Sequence, residues 1–139
     1  MFFSDSVEIK APPAVVWKSL KDERQYYNSK VDNVIGDTYH LHQEYPTPIG
    51  LAKCSFLIVD QPFKKMDFLL YSSPDIKSLK GDWTLISTEP NKTILTLHID
   101  YLKIKVLAPE FLVKKVMAIV VKSRLKRIES RAEEGQTYN

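Results

Sequence analysis

The stretch PEFLVKKVMAIVVKSRLKRIESRAE, residues 109–133, reads as one long helix, and the chain before it reads as strands needing something to wrap. Pro109 suits the first helical position, where its missing N–H costs nothing. Glu110 sits favourably against the positive end of the helix dipole. Lys115, Lys122, Lys126 and Glu129 fall on one narrow face at helical spacing. The opposite arc is broad and apolar: Val113, Val116, Met117, Val120 and Val121, flanked by Leu112 and Ile119. A helix this apolar over its first half needs a large cover, and a curved sheet is the obvious one.

The preceding chain supplies that sheet. Thr93–Leu102 groups Leu95, Leu97, Ile99 and Tyr101 on one side, and Leu79–Ser87 groups Leu79, Gly81, Trp83 and Leu85. Phe63–Tyr71 gathers Met66, Phe68 and Leu70; Leu51–Val59 gathers Ala52, Cys54, Phe56 and Ile58; Thr38–Tyr45 gathers Tyr39, Leu41, Gln43 and Tyr45. Val31–Ile35 is a weaker strand, and Phe3–Ile9 alternates cleanly. Between those two, Ala11-Pro12-Pro13 opens a short helix with Val15, Val16 and Leu20 on its apolar side, and a polar segment holding Tyr26 and Tyr27 forms a second, briefer one. Pro46–Gly50 reads as a loop, Glu89–Lys92 as a hairpin turn and Lys103–Ala108 as a connection. The order is strand, two short helices, six strands, long helix. That is an α+β chain with an antiparallel sheet of about seven strands, dry in front and wet behind. Residues 1–135 read as a single domain and residues 136–139 as a frayed tail.

Composition excludes several classes. A net charge of +3 is too small to imply nucleic acid. The basic residues concentrate between Lys114 and Arg131, with Lys115, Lys122, Arg124, Lys126 and Arg127 between them, so the helix could meet an anionic membrane surface; a solvated polar face is the plainer reading. Cys54 is the one cysteine, so no intramolecular disulfide forms. No secretory signal is visible, which gives a cytoplasmic expectation, or an organelle interior if a targeting segment is missing. With four glycines and no phosphate loop, nucleophile elbow or metalloprotease motif, the chain suggests no cofactor, no metal and no established catalytic group.

The order of elements resembles the START-like superfamily, also called the helix-grip or Bet v 1-like fold, and in particular its polyketide cyclase/dehydrase and coenzyme-Q-binding branch. The pieces that carry the resemblance are Val7–Trp17 (VEIKAPPAVVW), Leu79–Leu85 (LKGDWTL) and Leu125–Glu133 (LKRIESRAE). The resemblance implies a sheet wrapping the C-terminal helix around an apolar cavity, with the two short helices closing one edge.

The strand phase sorts the polar residues. His40, His42, Glu44, Ser55, Asp82, His98 and Asp100 belong on the back of the sheet, where His40-x-His42-x-Glu44 as metal ligands and His98-x-Asp100 as a catalytic pair both rank below a solvated reading. The expected ligand-binding set faces the helix: Tyr39, Leu41, Gln43, Cys54, Phe56, Phe68, Trp83, Leu85, Leu97 and Tyr101 from the strands, with Val113, Met117 and Val121 from the helix. Cys54 reads as a small buried hydrophobe rather than a nucleophile. Tyr39, Gln43 and Tyr101 are the groups for a polar atom on an oily ligand. The leading expectation is a carrier of a hydrophobic small molecule such as a lipid, isoprenoid, quinone or polycycle. The rival is a polyketide cyclase, aromatase or dehydratase using Tyr39, Tyr101 or an inward-turned His98. A third reading is an interaction domain with a filled core. A one-residue slip in register would bring the histidines inside.

Overall fold

The computed structural model of the chain describes residues 2–47, 50–105 and 107–137. Its elements are β1 (Phe3–Ile9), α1 (Pro13–Asp22), a 3₁₀ helix η1 (Glu23–Tyr27), β2 (Lys30–Ile35), β3 (Thr38–Thr47), β4 (Gly50–Gln61), β5 (Lys65–Ser72), β6 (Ile76–Glu89), β7 (Lys92–Ile104) and α2 (Glu110–Thr137). The strands form one antiparallel sheet in the order β1-β7-β6-β5-β4-β3-β2. β2 through β7 pair with their sequence neighbours, and β1 returns to the free side of β7. The sheet curves around α2.

Local chemistry explains the boundaries. Pro12 stays extended and its carbonyl accepts from the N–H groups of Val15 and Val16, while Pro13 takes the first helical position of α1. Asn28 closes η1 in the left-handed region, φ 47°, where asparagine is tolerated. Pro109 stands one residue before α2 rather than inside it, its carbonyl accepting from Leu112 and Val113. α2 extends through Thr137, two residues into the stretch expected to fray, and 138–139 lie outside the described residues.

Several strands outrun their expected ends, and two of these extensions bear on the site. β3 continues through Pro46, paired with Leu51, so the expected Pro46–Gly50 loop shrinks to 48–49, which lie outside the described residues. Past His42 no β2 partner flanks β3, and proline is tolerated on such an edge. β7 runs to Ile104 and carries a bulge: Gly81 opposes Ile99, yet Lys80 opposes Tyr101, leaving Asp100 as the extra residue. The inserted residue reverses the phase. Leu102 and Ile104 turn toward α2, and Tyr101 turns out to 42% exposure.

The core lies between the front of the sheet and α2. Ile9, Ile58, Leu95, Val121 and Ile128 are almost wholly buried there, with Val16 and Leu20 of α1 closing one edge. Val121, Leu125, Ile128 and Ala132 give α2 a buried stripe at helical spacing. Its first half differs. Val113, Val116 and Met117 are only half-buried, and Phe111, Leu112, Ile119 and Val120 are exposed, so the expected apolar arc is only partly covered.

Gly81 marks a tight point in this packing. A Cβ there would meet the His98 carbonyl oxygen at 2.1 Å and Phe68 Cζ at 2.7 Å, because the ring of its cross-strand partner lies over it. Gly81→Ala should lower the unfolding free energy by about 2 kcal/mol or more, read from urea denaturation; an unchanged midpoint would contradict this packing.

Candidate ligand-binding site

The sheet and α2 do not close on each other along their whole length. A cavity of about 470 Å³ lies between them, within the range of roughly 300–1,000 Å³ usual for small-molecule sites. Leu41, Phe56, Ile58, Met66, Phe68, Trp83, Leu97, Ile99 and Leu102 form its sheet wall. Val113, Val116, Met117, Val120 and Val121 form its helix wall. Most of the exposed lining residues, Pro46, Gly50 and Leu51 on the β3–β4 hairpin and Ala108 and Leu112 around the start of α2, rim the mouth. The inner end is made by Leu20 and Arg24 from the short helices, Met66 and Trp83 from the sheet, and Arg124 from α2.

Of the expected residues, Leu41, Gln43, Phe56, Phe68, Trp83, Leu97, Val113, Met117 and Val121 line this cavity. Tyr39, Cys54, Leu85 and Tyr101 do not. Tyr39 is buried beside η1, its hydroxyl accepting from Arg24 Nη2. Cys54 and Leu85 are in the packed core. Tyr101 is on the outer side because of the bulge at Asp100.

The polar end is more elaborate than sequence reasoning anticipated. Glu23, on η1, is 0% exposed. Arg124 grips it through Nε at 3.3 Å and Nη2 at 2.9 Å, and Arg127 adds Nη2 at 2.9 Å and also donates to the Tyr27 hydroxyl. The Arg124 guanidinium lies 5.1 Å from the Trp83 ring centroid and 4.7 Å from that of Tyr27. Burial works against its charge, but the Glu23 carboxylate and the Tyr45 and Tyr27 hydroxyls outweigh it and raise its pKa. A hydrogen-bond chain continues from there: Tyr45 donates to Gln43 Oε1, Gln43 Nε2 donates to Ser29 Oγ at 3.0 Å, and Ser29 donates to the Arg24 carbonyl at 2.6 Å. Gln43 therefore spends its oxygen and one amide hydrogen on the protein. Desolvation holds the Tyr45 hydroxyl well above the usual tyrosine range.

The basic stretch of α2 is correspondingly not one solvated face. Arg124 and Arg127 turn inward and Arg131 stacks on the Tyr26 ring, leaving Lys114, Lys115, Lys122 and Lys126 outward. Arg124 had a signal in the sequence. It lies three residues after Val121 and four before Ile128, on the buried stripe.

The histidines stay behind the sheet. His42 Nδ1 lies 2.7 Å from Ser55 Oγ and its Nε2 3.1 Å from Asp32 Oδ2, while His98 Nδ1 lies 3.1 Å from Asp82 Oδ1. The Asp32–His42–Ser55 chain has the members of a hydrolytic triad. Ser55, however, sits mid-strand in β4, between β3 and β5, where ladder pairing competes for the backbone N–H groups that an oxyanion would need. It is a cross-strand polar ladder. Among the described residues, no trio of His, Cys, Asp or Glu side chains converges as a metal site.

With this geometry established, the chain can be set beside known proteins. No protein-family model matches it, and no curated protein matches it. Solved structures do. A START superfamily protein from Mycobacterium smegmatis superposes with a TM-score of 0.80 at 15% identity, over 96% of this chain and 97% of that one. The Zhui aromatase/cyclase from a Streptomyces species gives 0.78 at 14% identity, over 96% and 93%. Ara h 8.0201 gives 0.72 at 11% identity, over 96% and 98%. The chain has the START-like, Bet v 1-like helix-grip fold. Identities this low establish the architecture, and the chemistry has to come from the site. No helix among the described residues is long and apolar enough to cross a membrane.

Two outcomes follow. Glu23→Gln leaves Arg124 and Arg127 without their shared anion, and should cost about 3 kcal/mol of stability in urea denaturation; a change below about 0.5 kcal/mol would show that the cluster contributes little. Cys54, its thiol pushed up to about 11 by burial, should hold a thiolate fraction at neutral pH roughly a hundredfold below that of an exposed cysteine. Alkylation of the folded protein at pH 8 should be slower than that of the urea-unfolded chain by at least that factor; comparable rates would show an accessible, ionisable thiol.

Proposed function

We propose that the protein binds and carries a hydrophobic small molecule between the sheet and α2. The observation that carries this reading is the cavity itself: about 470 Å³ of open volume walled almost entirely by apolar side chains. Leaving such a volume unfilled forfeits packing that a chain of ordinary composition could have closed with larger residues. Burying apolar ligand surface returns about 25 cal/mol per Å² before association costs. The mouth gives an occupant a route in from solvent.

The rival enzymatic reading needs a proton donor or acceptor inside, and the three groups named for it lie elsewhere. Tyr39 is buried against Arg24, Tyr101 faces outward, and His98 pairs with Asp82 on the back. Tyr45 lines the cavity, but its raised pKa and its bond to Gln43 make it a reluctant acid. The aromatase/cyclase likeness supports a cavity of this kind and assigns no reaction to this chain.

Met117→Trp places an indole in the cavity from the half of α2 that stands off the sheet. Wild-type protein should enhance N-phenylnaphthylamine fluorescence saturably, and Met117→Trp should weaken that binding by tenfold or more while its thermal midpoint stays within a few degrees. Equal binding by both proteins would place the probe outside the cavity and count against this reading.

A further inference from the structure

Resting on that ligand-binding reading, we propose that Arg24 recognises charge in this cavity, and that the natural occupant is an apolar molecule ending in a carboxylate or a similarly anionic oxygen group, with that end innermost.

Arg24 lines the inner end of the cavity. Its Nη2 donates to the Tyr39 hydroxyl and approaches Met66 Sδ at 3.3 Å. Its guanidinium carbon lies 5.1 Å from the Tyr39 ring centroid. Among the described residues, no carboxylate forms an ion pair with it. Asp60, which also faces the Tyr39 hydroxyl, pairs through Oδ2 with Lys21 at 2.8 Å and makes no ion pair with Arg24. Arg124, on the same inner wall, is the contrasting case, because its Nε and Nη2 are both committed to Glu23, a carboxylate it shares with Arg127. Met66 and Trp83 are cross-strand partners, so the guanidinium touching Met66 and the one stacked near Trp83 converge on one end of the cavity.

A hydroxyl, a thioether and a ring face compensate a cation only weakly. Among the described residues only its Nη2 is engaged by a side chain, and the fork of a guanidinium matches the two oxygens of a carboxylate. Its backbone is pinned as well: Ser29 donates to the Arg24 carbonyl and itself accepts from Gln43. A recognition group held this way loses little freedom on binding. The mouth, by contrast, is rimmed by Leu51 and Leu112, which suits the apolar part of the molecule.

Competition against N-phenylnaphthylamine tests this with a matched pair, dodecanoate and dodecanol, both below their micellar limits. Wild-type protein should prefer dodecanoate by about tenfold, the effect of one charge-assisted pair. Arg24→Met should bring the two ligands near parity, and Arg24→Gln, which keeps a polar group but no charge, should do the same. Parity in the wild type overturns the proposal while leaving the ligand-binding reading intact. A preference that survives both substitutions overturns it too, by showing that the charge is read elsewhere. If N-phenylnaphthylamine and both ligands all fail to bind, the ligand-binding reading falls and takes this proposal with it.

Discussion

A carboxylate sealed from water and held by two guanidinium groups is the contact on which this structure turns. Glu23 is contributed by the brief helical turn after α1, and Arg124 and Arg127 by successive turns of α2, about a hundred residues later in the chain. A fully buried Glu23 is tolerable only with both guanidinium groups in place, Arg124 mostly and Arg127 partly withdrawn from solvent. They therefore fix the rotation of α2 about its axis, which decides the side chains it presents to the sheet. With Arg124 aimed at Glu23, the residues one to three turns earlier on that face, Val121, Met117 and Val113, look into the open volume. The same contact seals the inner end, because Tyr27, Tyr45 and Trp83 gather around the Arg124 side chain.

The architecture was legible because its signals are periodic. Strand alternation and the long apolar arc of 109–133 gave the element order, and the sorting of histidines to the back face follows from the same phase. What escaped was aperiodic. A bulge is one added residue with no residue type of its own, so nothing in Ile99-Asp100-Tyr101 announced that Tyr101 and Leu102 would exchange sides. Pro46 suggested a loop because proline usually ends a strand, but an edge position removes the penalty.

The cavity's apolar lining was readable for the same reason, and its polar end only in the place of Arg124 along the buried stripe. Arginine on a basic helix reads as a solvated cation, yet its long stem packs like a hydrophobe and its head can be satisfied inside by a distant carboxylate. Glu23 and Arg24, adjacent in a short polar segment, gave no periodic hint that one would be sealed away and the other would face the cavity. Pairings across a hundred residues leave no local trace. Cys54 and Leu85 show the converse limit: strand phase identifies the front face but does not separate the part beneath the cavity from the part packed solid.

The two halves of α2 are held differently. The later half is locked by its buried stripe and its paired arginines, whereas the earlier half is half-buried at most and has open volume beneath it. A rod fastened at one end and resting over a hollow at the other behaves as a cantilever. Bending it outward would break no strand pairing and separate no buried charges, so what holds the girth of the chamber there is apolar contact rather than charge.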